Sequence, residues 1–338
     1  MNEKQKARLL VTLSGVFLGG MSWMIVWLVI IALQLEKGHP DNVWVKDAYS
    51  LKTRAITSTD ASPKILIVGG SASMFGVDSS LLAEQFGTPV INFAVNAGIG
   101  TYALPALADP HISKGDVVLM PLEYRLLLWD GIPSYVTLSW VLEHPESLRR
   151  WRLKSLFSGL WQLPLKRALA SYDSSDLTVD SEFPYGAHRL NSHGDQTFTH
   201  ASERSEQQLA VVEALEPESY AENLINSKIG LQEWQFWWRQ WRERGACLLV
   251  VPPPMLAHIS YFVGESKLFF DSVPHRVRHR GVAYKGQPQM TFFPASAMFD
   301  TSYHLTTEAR QQYTQWIIEV LPSTIQECRV PALDESDI

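Results

Sequence analysis

Lys64-Ile65-Leu66-Ile67-Val68-Gly69-Gly70-Ser71-Ala72-Ser73-Met74-Phe75-Gly76 is the stretch that decides the fold. Residues 65–68 are apolar without alternation, as in a parallel strand covered on both faces, and the run stops at a glycine pair followed by a serine. Asp78 or Ser79 then caps a short helix over 81–86 that Gly87 ends. The pattern repeats downstream. Residues 89–95 read as a second strand, 96–100 as a turn and 102–108 as a helix; 116–120 form a third strand halted by Pro121, and 246–251 another. Strands separated by helical stretches imply right-handed crossovers and a parallel sheet whose ligand crevice lies outside the carboxyl ends of the strands. Ser71, Asn96 and Glu123 fall at that edge.

Residues 9–35 contain no charged side chain. As a helix they would reach about 40 Å, enough to span a bilayer. Lys4, Lys6 and Arg8 precede them, whereas Glu36, Lys37 and Asp41 after them are mixed in sign, which puts residues 1–8 in the cytoplasm and the rest outside. The apolar run is too long for a signal peptide and lacks a small-residue cleavage site, so it reads as an uncleaved anchor. Residues 36–62 then form a polar connector with an amphipathic stretch at Trp44, Val45, Ala48 and Leu51; 63–325 form one domain with an insertion at about 171–217, and 326–338 a tail. With 46% hydrophobic and 19% charged residues the domain is a packed globule, and a net charge of −6 offers no basic stripe, which excludes nucleic acid as a partner.

Cys247 and Cys328 are the only cysteines, and Cys247 opens an apolar strand, so two unbonded thiols are expected. His188, His193, His200 and Asp195 lie in the polar insertion, but chance accounts for their spacing better than metal binding, and no CxxC or HExxH pattern occurs. A loop covering the active edge and meeting substrate through Asn191, His193 or Asp195 is the stronger reading. Residues 140–169 are helical, broken near Pro145 and Pro164, with Arg149, Arg150, Arg152 and Lys154 among Trp151, Leu153 and Leu156. Short length and flanking acids favour an ordinary surface helix over a basic face on anionic headgroups. Trp234, Trp237, Trp238 and Trp241 recur at helical spacing over 231–244, the usual mark of core, though a sugar face or membrane interface would also use them. A last helix is expected over 306–321, stopping before Pro322.

Near the C-terminus stands Phe299-Asp300-Thr301-Ser302-Tyr303-His304-Leu305-Thr306. A serine hydroxyl becomes nucleophilic when an imidazole takes its proton and a carboxylate fixes that imidazole's tautomer. Asp300 and His304, four residues apart before a helix, can be presented together to Ser71, with Phe299 and Leu305 burying the base of the loop. Backbone N–H groups of Ser71 and of Ala97 or Gly98, with the Asn96 side chain, would receive the charge on the substrate oxygen. A Gly-Gly-Ser turn could instead hold phosphate, but neither G-x-G-x-x-G nor a P-loop lysine is present.

These residues resemble the SGNH (GDSL-like) hydrolase superfamily, in particular its membrane-anchored members serving alginate and cell-wall O-acylation. Residues 68–78 are similar to the family's nucleophile block, 90–98 to the block that supplies an oxyanion donor, and 300–306 to the block that supplies acid and base. The resemblance implies a three-layer α/β/α domain with a mainly parallel sheet, of flavodoxin-like layout, outside the cytoplasmic membrane. It also implies a Ser71, His304, Asp300 triad, no cofactor, and O-acyl transfer to an exported or cell-surface polysaccharide, with a multi-spanning membrane acyltransferase as partner. An esterase or a non-catalytic assembly protein would share that fold. Three departures stand out. Gly70 replaces the usual aspartate before the nucleophile, Met120-Pro121-Leu122-Glu123-Tyr124 stands in the place of the third block's asparagine, and the last block is D-x-x-x-H where D-x-x-H is common.

Overall fold

The computed structural model describes residues 2–59, 63–167, 178–179, 183–220 and 227–329. Two helices come first, α1 (Glu3–Ala32) and α2 (Pro40–Thr59). They lead into β1 (Ile65–Ile67), α3 (Ser71–Gly76), α4 (Ser79–Phe86), β2 (Val90–Asn92), α5 (Ala103–Ala108) and β3 (Val117–Pro121). Next come α6 (Tyr124–Leu128), α7 (Tyr135–Glu143), α8 (Leu153–Gln162) and α9 (Glu206–Glu213). The chain closes with α10 (Ile229–Glu243), β4 (Cys247–Val251), β5 (Met255–Leu256), α11 (Gly264–Arg278), β6 (Ala283–Tyr284), β7 (Phe292–Phe293) and α12 (Thr307–Arg329).

Five strands form one parallel sheet in the order β2-β1-β3-β4-β6, and β5 pairs with β7 apart from it. Successive strand residues point to opposite faces, so the unbroken apolar strands feed two cores. Ile65, Ile67 and Leu249 pack with Leu82 of α4 and Tyr313 and Ile317 of α12. Leu66, Val118 and Val250 pack with Trp234 and Trp238 of α10 and with Phe269 and Phe270 of α11. The α10 tryptophans are therefore core, and Trp234, Trp238 and Trp241 offer no surface to a sugar. Local signals act as expected at α4, where the Asp78 carboxylate accepts from the Leu81 N–H at 3.1 Å and Gly87 ends the helix at φ 57°.

α1 is 30 residues long and holds an 18-residue stretch of mean hydropathy 2.1, apolar and long enough to cross a membrane. The region expected as a polar connector is instead mostly α2, a helix whose Val45, Ala48, Tyr49 and Lys52 are buried. Lys52 donates to the carbonyls of Asn92 at 2.8 Å, Ala94 at 2.5 Å and Gly194 at 2.7 Å, so this helix is bolted to the end of β2. Burial pulls the lysine pKa down to about 7, with Asp195 opposing.

Two further expectations are corrected. α12 runs through Pro322 to Arg329 rather than stopping at 321. Cys247 is disulfide-bonded, not a free thiol; it opens β4 at a half-buried position that a partner can reach, and the Cys328 side chain lies outside the described residues.

Candidate active site

In a parallel sheet the strand ends collect on one rim, and here that rim gathers the candidate residues from separate parts of the chain. β1 delivers Ser71 as the first residue of α3, where a helix opens with unpaired N–H groups. The Ser71 N–H and Oγ make no hydrogen bond among the described residues, and the side chain is partly exposed. After β2 the chain turns through Asn96, and Ala97 comes against Gly70, where an added Cβ would overlap it.

Glu123, just past β3, reaches beneath this turn. Its carboxylate accepts from the Gly70 N–H at 3.1 Å and the Ala72 N–H at 2.9 Å, so it clamps the backbone on both sides of Ser71. Burial pushes its pKa up, while those two donors and the His304 charge act in the opposite direction. A carboxylate that only accepts offers no donor to a substrate oxyanion, so Glu123 positions the turn. Gly70 and Glu123 thus meet in space: a Cβ at position 70 would run into the Glu123 carboxylate and Ala97, and only glycine leaves room for them.

His304 arrives from the loop before α12. Met298 and Leu305 form an antiparallel bridge, the Phe299 N–H donates to the His304 carbonyl at 2.6 Å, and Thr301 Oγ1 accepts from the Tyr303 and His304 N–H groups at 3.2 Å. Phe299 and Leu305 are buried beneath this closed loop. Across it His304 Nδ1 lies 2.6 Å from Asp300 Oδ1, the orientation that leaves Nε2 for a substrate or nucleophile. Burial alone would raise the Asp300 carboxyl, but the hydrogen bond and charge of His304 and the Tyr185 hydroxyl outweigh it and hold the group below its ordinary value of 3.8.

The imidazole lies flat on the Phe75 ring, centroids 3.8 Å apart and planes within 5°. Phe75 is one helical turn from Ser71 on the same face of α3, so the residue that carries the imidazole neighbours the serine along the helix. No hydrogen bond joins Ser71 to His304, and such bonds often tighten only when substrate is bound.

Tyr185 was not among the expected site residues. Its hydroxyl donates to Asp300 Oδ2 at 2.5 Å, and its ring stands edge-on to His304 at 6.1 Å. Burial, with the Asp300 charge adding to it, pushes the phenol pKa up and keeps it a donor. The insertion thus does reach over the rim, but through an aromatic residue rather than through the polar ones expected. Asn191 accepts from the His193 and Asp195 N–H groups within its own loop, and His193 Nδ1 lies 2.9 Å from the Val90 carbonyl at the sheet edge. Asp195 is buried and holds Ser79, Asn92 and Asn191. The structure does not bring Asn191, His193 or Asp195 to the group around Ser71.

Of the expected oxyanion donors, Gly98 already gives its N–H to Asn96 Oδ1 at 2.7 Å. The Ser71 and Ala97 N–H groups and Asn96 Nδ2 are unclaimed among the described residues. Two clefts adjoin this corner. One of about 380 Å³ is lined by Ala97, Gly98, Arg125, Trp129 and Tyr220, and one of about 370 Å³ by Asn96, Trp44, Tyr135 and Phe183. Among the described residues no group of three or more His, Cys, Asp or Glu side chains is set to hold a metal. No protein-family model matches the chain, and neither a curated protein nor a solved structure matches it.

Proposed function

We propose that the protein is a serine-dependent acyltransferase of SGNH type, a three-layer α/β/α domain anchored on the outer side of the cytoplasmic membrane, that O-acylates an exported or cell-surface polysaccharide. The observation that carries this reading is the Tyr185, Asp300, His304 relay stacked on Phe75 one turn from Ser71. In the first step Ser71 Oγ bonds to the acyl carbonyl carbon while His304 Nε2 takes the hydroxyl proton and Asp300 stabilises the imidazolium. The oxygen's charge falls to the Ser71 and Ala97 N–H groups, and as the tetrahedral intermediate collapses the donor's leaving oxygen takes the proton from His304. A sugar hydroxyl then gives its proton to His304, attacks the acyl-Ser71 carbon and frees Ser71 Oγ, which recovers that proton.

Water can replace the sugar in the second half, which would make the same residues an esterase. Mass analysis of an oligosaccharide incubated with an activated acetyl ester separates the outcomes. Acetylated sugar with wild type and none with Ser71→Ala supports transfer; free acetate alone supports hydrolysis; no turnover of either kind leaves an assembly protein with no chemistry.

A further inference from the structure

We infer that α8 is a membrane-docking helix lying in the outer-leaflet interface of the bilayer that α1 crosses. Leu153, Phe157 and Trp161 recur every four residues on one face and are 72%, 61% and 61% exposed, with Leu165 just beyond at 57%. The opposite face is the buried one and carries small residues: Ser155 is buried, and Gly159 faces Leu138 and Pro133. A soluble surface helix has the reverse arrangement, and an apolar stripe turned outward marks a surface that something apolar covers.

The position of Trp161 identifies the cover. Its ring stacks on Trp23 of α1, centroids 6.1 Å apart and planes within 8°, and Trp23 stacks in turn on Trp27 at 5.9 Å. At 1.5 Å per residue from Arg8, a hydrocarbon layer of about 30 Å ends near Leu28, which leaves Trp23 about 7 Å inside the boundary. Trp161 shares that depth, within the roughly 5–10 Å that interfacial helices reach. Exposed Arg149, Arg152, Lys154 and Lys166 flank the stripe, where headgroup phosphates would lie. Nor can α8 swing away from the anchor. Ile31, Leu138, Leu142, Trp151 and Leu163 share one small core, and buried Arg167 donates to Gln34 Oε1 at 2.9 Å and the Ser139 carbonyl at 3.0 Å.

The docking does not depend on the catalytic reading, but it bears on it. The loop over 129–134 packs under α8, with Lys154 Nζ 3.5 Å from the Asp130 carbonyl, and the same loop walls the cleft that begins at Ala97 and Gly98. A seated α8 would hold that cleft beside the leaflet, open to an acyl donor in or on the membrane.

The test places p-benzoylphenylalanine at Leu153 or Phe157, both exposed, in the full-length protein reconstituted in phospholipid nanodiscs, with Gln207 as the comparison site. After irradiation, phospholipid adducts several-fold above those at Gln207 are expected at both positions. Adducts to a second protein chain, or lipid adducts no greater than at Gln207, would overturn the assignment. Quenching by brominated lipid gives a second reading: Trp161→Phe should lose part of the quench that the wild type shows, and an unchanged quench counts against it.

Discussion

Glu123→Gln isolates the clamp under Ser71 because it keeps the shape of the side chain and changes only its donor pattern. The carboxylate accepts two backbone N–H groups, at 3.1 and 2.9 Å, in a fully buried position. Glutamine can accept one of them through its carbonyl, but its NH₂ then faces the other N–H, so one charge-assisted bond is lost and a buried donor confronts a donor. Such a loss costs about 2–3 kcal/mol. The displaced backbone is that of Gly70 or Ala72, on either side of Ser71, and a misplacement of the reacting atom by about 1 Å costs about 10²-fold in rate. Urea unfolding in detergent, followed through the buried Trp234, Trp238 and Trp241, should show the lower stability, and the rate of fluorophosphonate reaction at Ser71 should fall about 10²-fold. A variant with unchanged midpoint and unchanged rate would refute the clamp and imply that Glu123 sits there protonated, needing only one of its two acceptors.

Asp300→Asn should cost up to about 10⁴-fold in the rate of serine acylation by fixing the wrong imidazole tautomer, whereas Tyr185→Phe removes one donor and should cost about fivefold. Both are read from the same probe reaction. The Asp300 carboxyl titrates below its ordinary value of 3.8 in the folded protein, so its stabilising contribution is complete above that value and is lost as pH falls through the lower one. Acid unfolding of Asp300→Asn should therefore lack that part of the pH dependence; an identical acid limb in both proteins would contradict the assignment. Lys52→Met leaves the carbonyls of Asn92, Ala94 and Gly194 without their shared donor and should lower stability by about 3 kcal/mol or more, seen as a reduced thermal midpoint.

How far the structure was legible depended on where the physical signal resided. β1, β3 and β4 announce themselves because a strand covered on both faces must be apolar throughout. β5, β6 and β7 are two residues long and carry no periodicity to detect. α2 was visible only as an amphipathic stretch, since Lys52 on its buried side reads as a surface residue until three carbonyls are found around it. The Asp300–His304 pair was legible from its spacing before a helix, and Ser71 from its place at the end of an apolar strand. Tyr185 was not, because it sits in a polar segment without regular pattern, 115 residues from the carboxylate it touches. Glu123 was legible as a rim residue but not in its role, which follows from the empty space at Gly70. The stripe on α8 was readable as amphipathic, yet which side faces outward is settled by packing against α7 and α1 rather than by the helix itself.

The most direct test of the account is the mass-spectrometric site and rate of fluorophosphonate attachment in the wild type and in His304→Ala. The account predicts a single adduct on Ser71 in the wild type and its loss in the variant. Attachment at another residue, or equal modification of Ser71 without the imidazole, would contradict it.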